Sequence, residues 1–273
     1  VRRFTDPDEF WVVAGPVLRA EPVLHSVLAS VVEAVRRAPG LHAVHDFYAV
    51  ARPGRPPFLA LHTPPFPLHL PVADGAAAAR LAEAVRDSGT APAGVSGDPT
   101  SATAFADRWC ALTGERWRVS VRLGLYDLPV APRLPRAVPG KPRLARRGDL
   151  PLVDRWLAAF AAEIGGPAPG AGQAAAAVAE GRVWLWCDPE PVAMALTSVP
   201  VGGVTRISYV YTPAASRGRG YASGVTAAAS SARQADGLRC LLYTDLANPT
   251  SNGIYAALGY RRLGEAVEIE LRS

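Results

Sequence analysis

The stretch YTPAASRGRGYASG, Tyr211 to Gly224, places two arginines and two glycines in four consecutive residues, Arg217-Gly218-Arg219-Gly220. An apolar run, ISYVY, precedes it, and a run of small residues with helical character follows. Glycine lets backbone amides approach a ligand with no Cβ in the way. The first turn of a helix offers unpaired N–H groups and partial positive charge. With arginines beside them, these features predict an anion site, and a pyrophosphate suits it well. Taken alone, a Gly-rich turn can equally be a plain helix cap. No Gly-Lys-Ser/Thr follows, so the Walker pattern fails, and a dinucleotide fingerprint fits poorly without an acidic residue about 20 positions on.

Working outward, the second half reads as strand GRVWLWCD (181–188), turn PEP, strand VAMALTSVP (192–200) and strand VTRISYVYTP (204–213). A helix from about Gly220 to Ala235 comes next, then buried strand LRCLLYTDL (238–246), helix PTSNGIYAALG (249–259) and final strand YRRLGEAVEIEL (260–271). Pro249 suits a first helical turn. The first half follows the same plan: HDFYAVA, FLALHTP and PFPLHL as strands, GAAAARLAEAVRDSG and SATAFADRWCALTG as helices, and strand RWRVSVRLGLY. Helical regions precede each set, at about Pro22–Arg37 in the first half and at Leu150–Ile164 and Gln173–Glu180 in the second. The pattern predicts a duplicated α/β unit. Prolines at 129, 132, 135, 139 and 142 interrupt helix and sheet ladder. The expected organisation is therefore a domain over 1–128, an extended linker over 129–142 and a second domain over 143–273.

The order strand, R-G-R-G-Y-A, helix, strand, N-P-T-S-N-G-I-Y-A-A-L-G-Y resembles the GNAT-type N-acetyltransferase superfamily over about residues 143–271. Arg217, Gly218, Arg219, Gly220, Tyr221 and Ala222 match its pyrophosphate loop; Asn248, Ser251 and Tyr255, then Leu258-Gly259-Tyr260, match its next element. The resemblance implies an α/β (α+β) fold with mixed, mostly antiparallel sheets flanked by helices. It implies acetyl-CoA as cosubstrate and direct acetyl transfer to an amine, small-molecule or protein, in a ternary complex. It also implies roles: Arg217–Ala222 at the pyrophosphate, the backbone of Val210, Tyr211 and Thr212 along the pantetheine, Asn248 at the splayed strand end or the pantetheine, and Tyr255 as acid. On periodicity alone Tyr255 reads as a core aromatic, sharing a buried face with Ile254 and Leu258.

The general base is less legible. The five histidines, His25, His42, His45, His62 and His69, all lie in the first half. Glu163, at the end of a helix, and Asp245, at the end of a strand, are the candidates, each acting through a water; a solvated Glu163 and a capping Asp245 are the plainer readings. GGPAPGAGQ (165–173) sits where the family has its acceptor loop and reads as a mobile lid or a slack loop. Cys187 and Cys240 read as buried small hydrophobes, not nucleophiles. The first half has only Gly75 before its corresponding helix and no arginine there, so it reads as a degenerate copy without a cofactor site, walling the acceptor site or holding a dimer.

Composition narrows the classes. With 49% hydrophobic residues the chain can bury a sizeable core. The formal charge of +5 divides evenly, with 15 basic and 13 acidic residues in 1–140 and 14 and 11 in 141–273, so no basic nucleic-acid-binding domain is expected. His42 and His45 have a metal-like spacing but no further ligand cluster, so no metal is expected. No apolar run spans a membrane, no signal-peptide core follows Val1, and three scattered cysteines suit a reducing interior. The expectation is a cytoplasmic enzyme, monomer or homodimer. A non-catalytic acyl-CoA-binding or sensing module is the alternative.

Overall fold

The computed structural model describes residues 1–38, 40, 44–167, 170 and 172–272. In chain order the first elements are β1 (Arg2–Phe4), α1 (Pro7–Ala20), α2 (Ser26–Arg37), β2 (Asp46–Arg52), β3 (Arg55–His62), β4 (Leu68–Leu70), α3 (Gly75–Asp87), β5 (Gly94–Gly97), α4 (Pro99–Thr113) and β6 (Arg116–Leu128). Then come β7 (Lys141–Leu144), α5 (Leu150–Ile164), α6 (Gln173–Ala179), β8 (Val183–Cys187), β9 (Pro191–Thr197), β10 (Val204–Tyr211), α7 (Tyr221–Ala235), β11 (Arg239–Asp245), α8 (Pro249–Leu258) and β12 (Arg261–Arg272). The fold is mixed α/β with mostly antiparallel pairing. The chain divides into two compact units, Val1–Gly124 with Gly264–Ser273, and Leu125–Leu263.

In the first unit β1, β2, β3 and β4 pair antiparallel in turn, β4 pairs parallel with β5, and β5 pairs antiparallel with β12. Tyr48, Phe58, Leu81, Phe105 and Trp109 fill a core against Val267, Ile269 and Leu271 of β12. The C-terminal strand, expected in the second domain, thus completes the first unit. Helix α1 departs from the expectation too, since Pro16 lies inside it. Asp6 starts it by accepting from the amides of Asp8 and Glu9. Proline at 16 deprives the Val12 carbonyl of its helical partner, and Val12 is 78% exposed, so water can serve that carbonyl.

In the second unit β7, β8, β9 and β10 pair antiparallel in turn, and β10 pairs parallel with β11. The end of β6 belongs here: Asp127, buried, takes a two-pronged ion pair from Arg239 (2.9 and 2.7 Å), and Leu128 enters the core with Tyr221, Val225 and Tyr260. Part of the Pro-rich stretch, expected as linker, is strand β7, with Pro142 opposite Trp186. This is possible because β7 is an edge strand, where a missing N–H breaks no ladder. Helix α7 lies close on β8, for a Cβ on Gly224 would come within 3.0 Å of the Trp186 ring. The run of small residues after the glycines therefore buries a helix face tightly against the sheet.

Candidate active site

Strand β10 sets the site. Its parallel register with β11 runs from Val204↔Arg239 to Arg206↔Leu241 and stops, although β10 continues to Tyr211 and β11 to Asp245. Its register with β9 shifts between Ser208 and Tyr211, and Tyr209 takes φ +48°, uncommon for a residue with a side chain. The Tyr209 ring lies 5.3 Å from Phe160 of α5, and its hydroxyl accepts from Gln173 Nε2 (3.3 Å). Beyond the last β10–β11 pair, a cleft of about 630 Å³ opens, lined by Val210, Tyr211 and Thr212.

The Arg-Gly loop forms the next wall. Gly220 is the N-cap of α7 at φ +89° and offers no side-chain cap. The first intrahelical bond runs from Gly224 N to Gly220 O, so the amides of Tyr221, Ala222 and Ser223 have no helical acceptor, and these residues line the cleft with Gly218 and Gly220. The Tyr221 side chain is buried in the core with its hydroxyl donating to Asp188 (2.5 Å), so only its backbone serves the cleft. Arg219 is exposed and does not line it. Arg217 does, donating from Nε to Thr212 O (2.9 Å) and from Nη2 to both carboxylate oxygens of Glu163 (2.6 and 2.7 Å).

Helix α8 closes the far side. Asn248 caps it, its Oδ1 accepting from Ser251 N (3.0 Å), and both residues line the cleft. At the end of β11, Asn252 Nδ2 donates to Asp245 O (3.1 Å) and Leu246 O (3.2 Å). Tyr255 lines the cleft though 8% exposed, packed edge-on to Tyr260 at 5.9 Å. Burial pushes its phenol up to about 12, so at neutral pH the hydroxyl keeps its proton. Tyr255 thus belongs to the core of the second unit and is also one of the residues that line the cleft. Of the two candidate bases, Glu163 lines the cleft, whereas Asp245 accepts from Ala247 N (2.8 Å) in a turn outside the lining.

Two residues were not foreseen. Asn252 stands one helical turn after Asn248, so the i, i+4 repeat of asparagine was an available signal. Arg136 lines the cleft from the Pro-rich stretch and donates to Gly218 O (3.1 Å); only the tertiary structure brings it there. Cys240 is fully buried, its thiol pushed up to about 12 by burial, and neither Cys240 nor Cys187 lines the cleft. His42 lies outside the described residues, as does part of 165–173; His45 Nε2 is 3.0 Å from Thr5 O. Among the described residues no group of three or more His, Cys, Asp or Glu could hold a metal, and no helix is long and apolar enough to cross a membrane.

Helix α3 of the first unit starts differently from α7. In α3 the Asp74 carboxylate accepts from Ala77 N (3.0 Å) and pairs with Arg52 (3.1 Å). The first turn of α3 is thus capped by a carboxylate, whereas that of α7 has no side-chain cap.

These features define a GNAT fold. Residues 190–269 match the FR47-like protein family. A Drosophila protein of solved structure shares 15% identity, covering 99% of this chain and 97% of its own, with TM-score 0.63. A GNAT-family acetyltransferase from Colwellia psychrerythraea shares 12%, covering 100% and 99%, with TM-score 0.56. A tandem GNAT protein from the clavulanic acid biosynthesis pathway shares 13%, covering 89% and 86%, with TM-score 0.52. No curated protein matches the sequence. The fold is therefore of the GNAT type.

Proposed function

We propose that the chain is an acetyl-CoA-dependent N-acetyltransferase that passes the acetyl group directly to an amine in a ternary complex. One observation carries this reading: residues of the uncapped start of α7, of the end of β10 and Tyr255 of α8 line a single cleft. Amides of Gly218–Ala222 suit the pyrophosphate. The backbone of Val210–Thr212 suits the pantetheine arm and offers donors to the oxyanion of the tetrahedral intermediate. Tyr255 Oη is the acid for the departing thiolate. Glu163 is the better-placed base, acting through a water, and it must first give up Arg217. The first unit is a degenerate copy, with Asp74 in place of the anion cradle.

Glu163 is tied to Arg217 and Asp245 lies outside the cleft, which favours a second reading, a non-catalytic acyl-CoA-binding module. A panel of amines assayed with acetyl-CoA by free-thiol detection separates the two. Thiol release that depends on one amine class, with no acetyl-enzyme intermediate, supports the transferase. Tight CoA binding without turnover on any amine supports the binding module.

A further inference from the structure

The stretch between β6 and β7 is part of the cleft rather than a connector. Within the second unit it is held along its length: Gln234 Nε2 donates to Leu128 O (3.0 Å) and Val130 O (3.2 Å), Arg133 N to Leu258 O (3.3 Å), and Trp186 Nε1 to Pro139 O (2.7 Å). Between the last two anchors, Pro135, Arg136 and Val138 line the cleft. The Arg136 guanidinium lies across the start of α7. Its Nη2 donates to Gly218 O, and a Cβ on Gly220 would meet its Nε and Nη2 at 3.7 Å.

The two arginines of the cleft differ. Arg217, the one in the sequence motif, is already paired with Glu163 and bonded to Thr212 O. Arg136 has no carboxylate partner among the described residues, and the bond to Gly218 O uses one of its five N–H donors. Arg136 is exposed, so solvent screens its repulsion from the positive end of the helix, but its remaining donors are open to an anion at that point. A phosphate oxygen at that point offsets the guanidinium and the helix end together, and a planar fork suits it.

We infer that Arg136 binds a phosphate group of CoA, so that the Pro-rich strap completes the cofactor site. The inference rests on reading the cleft as an acetyl-CoA site. The chemistry identifies a phosphate; the pyrophosphate and the 3′-phosphate are both sources of it. Equilibrium binding of CoA and of dephospho-CoA to the full-length protein, together with the melting temperature, tests it. Arg136→Gln is expected to weaken CoA binding roughly 10- to 100-fold, the usual loss for a charge-assisted hydrogen bond, at an unchanged melting temperature. Equal weakening for both ligands assigns the contact to the pyrophosphate, and weakening for CoA alone assigns it to the 3′-phosphate. CoA affinity within twofold of wild type in Arg136→Gln overturns the inference while leaving the acetyl-CoA reading in place. Weakening that comes with a fall in melting temperature also overturns it, for then the residue only holds the strap. Absence of CoA binding in the wild-type protein overturns the reading on which it rests.

Discussion

Tyr255 holds its proton because ionisation inside the core has no compensation: the phenol is pushed up to about 12 by burial alone. Under the proposed chemistry this makes it a donor at any working pH, and the fall in rate expected from phenol deprotonation moves above the usable range. A thiol leaving group, with a reference pKa of about 8.5, needs only modest help. Tyr255→Phe is therefore expected to lower kcat roughly 10- to 100-fold with acetyl-CoA affinity unchanged. Steady-state kinetics beside a binding titration checks this; a wild-type kcat would leave Tyr255 a packing residue. Glu163 gives the complementary case. Its pair with Arg217 is about half exposed on each side, 47% and 50%, so solvent screens it and it is worth about 0.5–1 kcal/mol. If a phosphate must displace it, Glu163→Gln should tighten CoA binding about two- to fivefold while turnover falls. Weaker CoA binding in that variant would show that Glu163 does not compete. The pairing itself could not be read from the sequence, since the two residues are 54 apart and neither has a local cue.

At the level of elements, what could be read was what local chemistry dictates. The segments β10, α7, β11 and α8 carry periodicity, glycines and a cap in the right places, and their boundaries emerged within a few residues. Strand β5 is GVSG, with nothing to mark it, and it exists because β4 and β12 flank it. Strand β7 was hidden by Pro142 and helix α1 by Pro16, in each case because solvent exposure or an edge position removes the usual cost of proline. Two glycines test how far the site depends on local backbone. Gly220 has φ +89°, and a Cβ there would meet Val138 Cγ2 at 3.2 Å. Gly220→Ala should cost about 1–2 kcal/mol in left-handed strain and weaken CoA binding, as the loop and the strap are both displaced. Gly253, inside α8, has nothing within 4 Å of a Cβ, so Gly253→Ala should stabilise by about 0.5–1 kcal/mol. Denaturant titration of the two variants gives opposite shifts in midpoint if this account is right.

Across the whole molecule, buried acids predict a loss of stability at alkaline pH. Cys240, normally near 9.0, and Tyr48 and Tyr255, normally near 10.0, are each pushed up to about 12 by burial. These groups are raised, so their contribution is full below their unfolded values and is lost as pH rises toward 12. Below pH 9 both states hold these protons and stability does not depend on them. Above pH 9 the unfolded chain releases the Cys240 proton first, and folding loses about 1.4 kcal/mol per pH unit from that group. Unfolding free energies at pH 8 and 10.5 should differ by about 2 kcal/mol or more from Cys240 alone, with the tyrosines adding to it. Cys240→Ala should shrink the loss between pH 9 and 10 to the share of Cys110, whose thiol burial also raises, before the tyrosines begin about one unit higher. An unchanged loss over that interval would assign it elsewhere.

The path of the chain through the two units was the least legible feature. A strand's pattern says that one face is buried, not which sheet it joins. GEAVEIEL follows the motif-bearing helix directly, so contiguity assigned it to the second domain; its side chains Val267, Ile269 and Leu271 are instead 3%, 1% and 9% exposed in the core of the first unit. Conversely Asp127, Leu128 and Arg136, which precede the expected boundary at 143, complete the second unit. Two fragments distinguish the divisions. Residues 143–273 contain every motif of the resemblance but leave Arg239 without its buried partner and the cleft without its strap. That fragment also carries β12 with Val267, Ile269 and Leu271 uncovered, each worth about 1.5–3 kcal/mol when buried. It should aggregate or fail to bind CoA. Residues 125–263 keep Asp127, Leu128 and the strap and omit the unpaired strand. This fragment should stay monomeric, show native-like circular dichroism and bind CoA within about tenfold of the full chain, a loss of about 1.4 kcal/mol. Sedimentation and a CoA titration on both pieces decide it, and a well-folded, CoA-binding 143–273 beside an aggregated 125–263 would restore the division that contiguity suggests.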